Sequence, residues 1–186
     1  MSTTDIKNDA QDRMGKSIEA LRHELSHLRT GRASTALVEN IRVNYYGSDV
    51  PINQVASVAV SDARSLTITP YEKQMVAAVE KAIMASDLGI TPTTAGTTIR
   101  LNMPPLTEER RKELAKHVGH AGENAKVAIR NIRRDGLQQI KNLLKEKQIS
   151  EDDDRRAQDE MQKLTDRFIK EVDVAVQAKE QELLAI

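Results

Sequence analysis

Three stretches of the sequence carry apolar residues at every third or fourth position, the spacing that places side chains on one side of an α-helix. The first stripe lies near the N-terminus and comprises Ile6, Ala10, Met14, Ile18, Leu21, Leu25 and Leu28. The second comprises Leu114, Val118, Ala121, Ala125, Ile129, Ile132, Gly136, Ile140 and Leu143. The third comprises Ala157, Met161, Leu164, Phe168, Val172 and Ala175. Each stripe is narrow and lies opposite charged residues, so the pattern predicts a long antiparallel three-helix bundle.

Start signals precede the second and third stripes. In "PPLTEERR" the prolines end the preceding segment, Thr107 can cap a helix, and Glu108 and Glu109 suit its first turn. In "ISEDDDRR" Ser150 is the corresponding cap, and acidic residues follow it. The chain is therefore expected to turn between Lys147 and Ser150. A helix of about 40 residues, at 1.5 Å per residue, would be about 60 Å long.

A different pattern occupies the region between Gly31 and Pro105. Alternating or β-branched runs occur in "IRVNYYG", "VASVAV", "SLTIT" and "TTIRLNM", and they predict strands. The segment from Lys73 to Ser86 predicts one helix that ends at the "DLGI" turn. We therefore expect an α+β protein in which a small β/α/β domain, residues 31–105, is inserted into a bundle formed by residues 1–30 and 106–186.

Two connections would join these domains, "RTGRAS" and "NMPPLT". The first contains a glycine, which adopts backbone conformations closed to other residues, and the second contains a proline pair that interrupts regular structure. These connections predict hinges near residues 29–32 and 103–106.

Composition narrows the class of protein. The chain has no cysteine, which excludes disulfides, thiolate metal sites and cysteine nucleophiles. The polar N-terminus lacks the apolar core of a signal peptide, and no apolar run reaches the roughly 20 residues that span a bilayer. A cytoplasmic protein with no membrane association is expected.

The net charge of zero hides an uneven distribution along the chain. Between Thr107 and Lys147 there are eleven Lys and Arg against six Asp and Glu, and from Ser150 to Ile186 there are six against eleven. The second predicted helix is therefore basic and the third is acidic. A polyanionic partner is compatible with this distribution.

The motif "VAIRNIRRDG" gathers much of the basic charge on one side of the second helix. Helical geometry places five residues within an arc of about 100°, namely Lys126, Arg130, Arg133, Arg134 and Lys141. Periodicity alone favours a solvated face or one paired with the acidic third helix, although arginine also suits bidentate contact with phosphate, and Asp135 is the nearest acid in sequence. With three tyrosines, one phenylalanine and no tryptophan, base stacking would be limited, so a nucleic acid would be recognised by backbone and shape.

Candidate catalytic and metal sites have simpler explanations. His23 and His27 are four residues apart and His117 and His120 three apart, which are chelating spacings, but neither pair lies in an HExxH motif. The "EDDD" run at residues 151–154 suits the first turn of a capped helix. No phosphate-binding glycine loop or GxSxG motif occurs. We expect no catalytic site, no metal and no cofactor.

Five stretches together resemble the bacterial ribosome recycling factor family: "LRTGRAS", "VEKAIMASDLGITP", "PPLTEERRKEL", "KVAIRNIRRD" and "SEDDDRR". The resemblance runs from end to end and includes the inserted module. It implies an L-shaped, tRNA-like outline, a three-helix arm that binds large-subunit ribosomal RNA in the intersubunit space, and a head joined by a flexible elbow. It also implies a monomer without catalytic activity that, with elongation factor G and GTP, splits ribosomes after translation termination and releases mRNA and tRNA.

The resemblance assigns roles to particular residues. Those that resemble the ribosome-binding contacts are Arg130, Arg133, Arg134, Arg111, Arg29 and Lys126. Those that map onto the elbow are Arg29, Thr30, Gly31, Arg32, Met103, Pro104 and Pro105, with Leu106 beside them. Two positions depart from the family pattern: Gly119 stands where a basic residue is common, and Gly136 replaces a usual alanine and is expected to permit closer helix approach.

An alternative from another functional class is a helical adaptor or chaperone that binds protein partners through the bundle. Such a protein would need an exposed apolar patch on its helices. The charged outer faces predicted for all three helices favour the first interpretation.

Overall fold

The computed structural model describes residues 1–28 and 30–185, which form three long helices and a group of short strands. In chain order the helices and strands are α1 (Thr3–Ser26), β1 (Arg42–Tyr45), β2 (Ser48–Pro51), α2 (Ile52–Val55), β3 (Ala56–Asp62), β4 (Ser65–Pro70), α3 (Val76–Met84), β5 (Thr93–Ala95), β6 (Thr98–Asn102), α4 (Glu108–Lys145) and α5 (Glu151–Leu184). Short 3-10 turns lie at Thr35–Val38 and Lys73–Met75. The predicted α+β class, with strands inserted after the first long helix, is confirmed.

The chain divides into two compact units. The first contains Met1–Leu25 and Glu113–Gln181, and the second contains Ser26–Lys112 with a C-terminal stretch that begins at Glu182. The domain limits predicted after residues 30 and 105 both fall inside the second unit. The units differ from the predicted domains because the end of α1 and the first turn of α4 group with the strands. The predicted domain limits stay a prediction.

Ion pairs give the relative directions of the helices in the first unit. Four pairs join α1 to the other two helices: Lys7 to Glu160, Arg22 to Glu171, Arg13 to Asp135 and Glu24 to His117. Residue numbers rise together in the two pairs with α5, so α1 and α5 run parallel. They change in opposite senses in the two pairs with α4, so α1 and α4 run antiparallel. The helices therefore run up, down and up. The short connection between the end of α4 at Lys145 and the start of α5 at Glu151 requires these two to be antiparallel.

The three predicted apolar stripes form the core of this bundle. Every stripe residue of α4 is buried, and Val118 and Ile129 are completely inaccessible to solvent. The exceptions are Leu28, which lies beyond the end of α1, and Ala175, both of which are half-buried. A continuous apolar seam along each helix therefore holds the bundle together.

At two glycines of α4, side chains of α5 pack closely on the helix backbone. A Cβ atom added to Gly122 would lie 2.5 Å from Cγ2 of Val176, and one added to Gly136 would lie 2.8 Å from Cε of Met161. Carbon atoms do not approach this closely, so only glycine fits these contacts without a shift of α5 side chains. The expected close approach at Gly136 is confirmed, and Gly122 makes an even closer one.

Replacing the three α4 glycines with alanine, one at a time, should separate the effect of helix propensity on stability from the effect of helix packing. At exposed Gly119 an added Cβ would meet nothing within 4 Å, so Gly119→Ala should raise the free energy of unfolding by up to about 1 kcal/mol. Gly122→Ala should be the least stable of the three because the β-branched Val176 must move. Gly136→Ala should lie between them, since the terminal methyl group of Met161 can rotate away. Urea titrations followed by helical circular dichroism measure this order, and a Gly122→Ala protein as stable as Gly119→Ala would contradict it.

The helix caps predicted from sequence are confirmed. The Thr107 hydroxyl accepts a hydrogen bond of 3.1 Å from the main-chain N–H three residues on. At the start of α5 the bonds are reciprocal: Ser150 Oγ accepts from the Asp153 N–H at 3.1 Å, and Asp153 Oδ2 accepts from the Ser150 N–H at 3.3 Å. The same capping box precedes α1, where Ser2 and Asp5 bond in both directions.

Removing the Ser150 hydroxyl should destabilise the start of α5. Hydrogen bonds with the side chain and the main chain of Ser150 are the main reason that the pKa of the Asp153 carboxyl lies below its ordinary value. A lowered folded pKa stabilises the protein above the unfolded pKa, and this contribution is lost as the pH falls through the folded value. Ser150→Ala should cost about 1 kcal/mol of unfolding free energy at neutral pH, and it should raise the pKa of Asp153. Thermal unfolding checks this, because part of the loss should vanish as the pH falls below the ordinary carboxyl pKa. A loss unchanged by acid would contradict the carboxylate's role.

The strands of the second unit form a four-stranded antiparallel sheet in the order β3-β4-β6-β5, and β1 and β2 form a separate hairpin. In the sheet, Leu66 lies opposite Leu101 and Ile68 opposite Ile99, and all four side chains are fully buried. Helix α3 packs on β1 and also on β4 and β6, with Val79 completely buried. The predicted β/α/β arrangement is confirmed, while β2, β5 and the short α2 were not predicted.

Candidate nucleic-acid interface

Helix α4 carries the basic side chains of the candidate interface at fixed spacing. It is continuous over 38 residues. Ile129 and Ile132 point into the bundle and are buried, whereas Arg130 and Arg134 are exposed and Arg133 is half-buried. The separation of apolar and basic residues predicted for this helix is confirmed. We call Lys126, Arg130, Arg133, Arg134 and Lys141 the basic face.

Two members of the basic face are paired with carboxylates. Lys126 Nζ lies 2.6 Å from Asp173 Oδ1 of α5, and the lysine side chain is only 22% exposed. Arg130 Nη1 lies 3.5 Å from Glu123 Oε1, but both side chains are about half exposed, so solvent weakens this pair. Lys126 is therefore largely neutralised by α5, and Arg130 keeps much of its charge available.

Asp135, the acid nearest to these arginines in sequence, pairs with a residue of another helix. Asp135 Oδ2 instead lies 3.3 Å from Arg13 Nη2 of α1, on the side of α4 that faces that helix. The partners are Glu123, seven residues before Arg130, and Asp173 of the next helix. Neighbours along the sequence alone could not identify them.

The remaining cations surround a small cleft on the outer side of α4. The cleft has a volume of about 210 Å³ and is lined by Arg133, Arg134, Leu137, Gln138 and Lys141. Arg133 Nη1 donates a hydrogen bond of 3.3 Å to the neutral Gln162 Oε1 of α5. In the described part of the chain, neither Arg134 nor Lys141 forms an ion pair, and both are exposed. Three positive side chains therefore keep their charge beside one cleft.

This arrangement suits an extended polyanion better than a small ligand. Guanidinium groups bind phosphate oxygens in a bidentate manner, and a row of them on a straight helix matches a sugar–phosphate backbone. None of the residues lining the cleft is aromatic, so the site has no platform for stacking bases. Contacts of this kind release counterions, and their affinity falls steeply with salt.

A further predicted contact residue, Arg111, lies in α4 fifteen residues before Lys126. Arg111 is half-buried in the first turn of α4 and belongs to the second unit. Arg29 falls outside the described residues. Among the predicted contacts, the structure therefore brings together Arg130, Arg133 and Arg134, with Lys126 held by α5.

The predicted hinge residues from the two connections meet around one cavity in the second unit. The cavity has a volume of about 190 Å³, and its lining includes Gly31, Arg32, Met103 and Pro104. Gly31 has a φ of 77°, a conformation that favours glycine, and Thr30 is buried. The two connections therefore lie side by side in space although they are about 70 residues apart in sequence.

Main-chain hydrogen bonds fix the inner ends of both connections. The Ala33 N–H donates to the Ala63 carbonyl at 2.8 Å, and the Met103 N–H donates to the Arg64 carbonyl at 2.7 Å. Pro105 follows Met103 closely, is exposed, and has no N–H to donate. Both bonds therefore end at the turn between β3 and β4.

One histidine of each predicted chelating pair lies beside a glutamate. His117 Nε2 lies 3.4 Å from Glu24 Oε1, and His27 Nε2 lies 3.6 Å from Glu39 Oε2. Among residues 1–28 and 30–185, no group of three or more His, Asp and Glu side chains is arranged to hold a metal ion. Within the same residues, no helix is long and apolar enough to cross a membrane.

A protein-binding adaptor would need an apolar patch on the bundle. In the described part of the first unit, the large apolar side chains that are exposed are Met1, Val127 and Val174. The two valines lie on different helices, and single exposed apolar residues are normal on soluble proteins. The bundle surface therefore favours an ionic partner.

Comparisons with known proteins point to one family. The family model described as "Ribosome recycling factor" matches residues 21–184. The ribosome-recycling factor of Xanthomonas campestris pv. campestris (strain B100) is 64% identical over 181 residues, which cover 97% of this chain and 98% of that protein. The corresponding factor of Xanthomonas oryzae pv. oryzae (strain PXO99A) is 63% identical over 183 residues, covering 98% and 99%.

Solved structures agree with the sequence relatives. A solution structure of the ribosome recycling factor is 42% identical, with a TM-score of 0.81, and the match covers 100% of this chain and 99% of that one. A T. thermophilus ribosome recycling factor, described with E. coli elongation factor G as bound to the E. coli post-termination complex, is 46% identical, with a TM-score of 0.70 and coverage of 99% and 100%. The chain therefore belongs to the ribosome recycling factor family.

Proposed function

We propose that the protein recycles ribosomes. It binds the ribosome after translation termination and, with elongation factor G and GTP, separates the subunits so that mRNA and tRNA are released. Family membership across almost the whole chain supports this role. The T. thermophilus relative, described with elongation factor G on a post-termination complex, supports both partners. The proposed site of action is the cytoplasm, and the active form is a monomer.

The basic face of α4 is the proposed contact with large-subunit ribosomal RNA. The observation that carries this assignment is the cleft at which Arg133, Arg134 and Lys141 keep their charge beside one another. Arg130 extends the contact one turn toward the N-terminus of α4. Lys126 contributes less direct binding because Asp173 already pairs with its ammonium group at 2.6 Å. Arg111 and Arg29 are further candidate contacts.

The proposed mechanism is mechanical and not catalytic. The bundle binds RNA through phosphate contacts, while the inserted β/α/β unit transmits force from elongation factor G. The left-handed Gly31 and the exposed prolines at 104 and 105 are the proposed hinge. The protein itself forms no covalent intermediate and needs no cofactor, since the energy comes from GTP hydrolysis by its partner.

Co-sedimentation with purified ribosomal subunits tests the assigned partner. We expect the protein to sediment with the large subunit, with an affinity that falls steeply between about 0.05 and 0.2 M salt. Binding to neither subunit at low salt would contradict the proposal. Salt-independent capture of other proteins in place of ribosomal particles would favour the adaptor alternative.

A further inference from the structure

Gln162 of α5 holds Arg133 through an amide that can adopt only one orientation. Its Oε1 accepts from Arg133 Nη1 at 3.3 Å, while its Nε2 donates to Asp166 Oδ1 at 2.8 Å. A carboxylate can only accept hydrogen bonds, so Asp166 must face the amide nitrogen of Gln162. The amide oxygen is thereby turned toward the guanidinium group.

The neutral charge of this partner distinguishes Arg133 from its neighbours. Lys126 and Arg130 are each met by a carboxylate, whereas no carboxylate oxygen lies within 4.0 Å of the Arg133 guanidinium in the described part of the chain. An amide orients a guanidinium group without cancelling its charge. Helix α5 is acidic overall, so a neutral side chain at this contact leaves the Arg133 guanidinium group without a carboxylate partner among the described residues.

Close packing of the helices brings Gln162 within reach. Met161, the preceding residue, fills the contact above Gly136, where an added Cβ would lie only 2.8 Å from its methyl group. Gly136 follows Arg133 by less than one helical turn. The glycine contact therefore sets the distance between α4 and α5 at the level of the Arg133–Gln162 hydrogen bond.

We propose that Gln162 is a positioning residue for RNA binding, which presents Arg133 with its charge intact, and that Asp166 fixes the amide. This inference rests on the proposed function of the basic face. A long flexible side chain held in place before binding loses less conformational entropy on contact with phosphate. The residue therefore improves affinity without touching RNA itself.

The matched pair Gln162→Glu and Gln158→Glu tests the proposal. Both residues are exposed on α5, and the Gln158 Nε2 donates to Asp154 at 2.9 Å, as Gln162 Nε2 does to Asp166. Each substitution therefore adds one negative charge beside an existing carboxylate. Only the carboxylate at 162 would also meet Arg133 and neutralise it.

For Gln162→Glu we expect binding to purified large subunits to weaken roughly eightfold at about 0.1 M salt, because one phosphate contact is lost. The slope of log affinity against log salt should become shallower by about 0.7 to 0.9. Gln158→Glu should bind within about twofold of the unmodified protein, with an unchanged slope. Helical circular dichroism of both variants checks that the bundle is intact.

A third variant separates orientation from charge. Gln162→Leu removes the acceptor without adding a charge, so it should weaken binding about two- to threefold while leaving the salt slope unchanged. Equal effects of glutamate at positions 158 and 162, or an unchanged slope for Gln162→Glu, would overturn the proposal. If the unmodified protein itself showed no salt-dependent binding to large subunits, the proposed function would fail, which is a different and distinguishable result.

Discussion

Replacing Arg133 and Arg134 together with glutamine should weaken binding to the large ribosomal subunit roughly fiftyfold at about 0.1 M salt. Each phosphate contact that is lost removes one contribution of counterion release to the affinity, and the two fold-changes multiply. The slope of log affinity against log salt should become shallower by roughly 1.4 to 1.8. Because Arg134 is exposed and Arg133 only half-buried, helical circular dichroism should be unchanged.

A second pair of adjacent arginines provides the control. Arg155 and Arg156 lie at the start of α5, are about three-quarters exposed, and form long ion pairs with Asp152 and Asp153. Converting both to glutamine removes the same net charge from the protein. We expect this control to keep its affinity within about threefold and its salt slope. A similar loss in both double variants would show that total charge, and not the basic face, determines binding.

Gly31→Pro should impair subunit splitting at least tenfold more than it impairs ribosome binding. Proline fixes φ near −65°, whereas Gly31 has a φ of 77°, so the connection cannot keep its conformation. The basic face lies in the other compact unit and should still contact RNA. Splitting, measured by the fall in light scattering with elongation factor G and GTP, is compared with affinity measured by sedimentation.

Alanine variants give a milder and better-matched form of the same experiment. Gly31 and Gly96 both have left-handed backbone conformations, with φ of 77° and 64°, so alanine imposes a similar strain of about 1 to 2 kcal/mol at either site. Gly96 lies in the turn between β5 and β6, away from the two connections. Gly31→Ala should slow splitting and Gly96→Ala should not. Equal slowing by both, or equal loss of binding and splitting in Gly31→Pro, would contradict a hinge at Gly31.

The long helices were predictable because their apolar residues repeat with the helical period over many turns. The caps at Thr107 and Ser150 added local signals that fixed where α4 and α5 begin. The strands β2 and β5 were missed because they contain only four and three residues and bury none of them. A strand this short is defined by its partner in the sheet, which is not visible in its own sequence.

The candidate interface was predictable in position but not in its contacts. The spacing of Arg130, Arg133 and Arg134 determines which side of α4 they occupy. Their partners depend on how α5 packs: Gln162 and Asp173 meet α4 residues 29 and 47 positions earlier in the chain. Lys126 therefore looked equivalent to the arginines in the sequence, although α5 neutralises it.

The close approach at Gly122 was missed for a related reason. A glycine beside an apolar stripe looks the same in sequence whether or not another helix packs tightly against it. Only the position of Val176, 54 residues later, shows that a Cβ atom at residue 122 would collide. The unexpected features of the bundle are thus tertiary contacts between helices whose individual positions were predicted correctly.

Light scattering from post-termination ribosomes, recorded after addition of the purified protein with elongation factor G and GTP, measures ribosome recycling most directly. If the protein recycles ribosomes through its basic face, scattering should fall rapidly only when the protein, elongation factor G and GTP are all present. The Arg133→Gln, Arg134→Gln variant should require a much higher concentration to produce the same fall. Scattering that falls no faster with the folded protein than with elongation factor G and GTP alone would contradict this function.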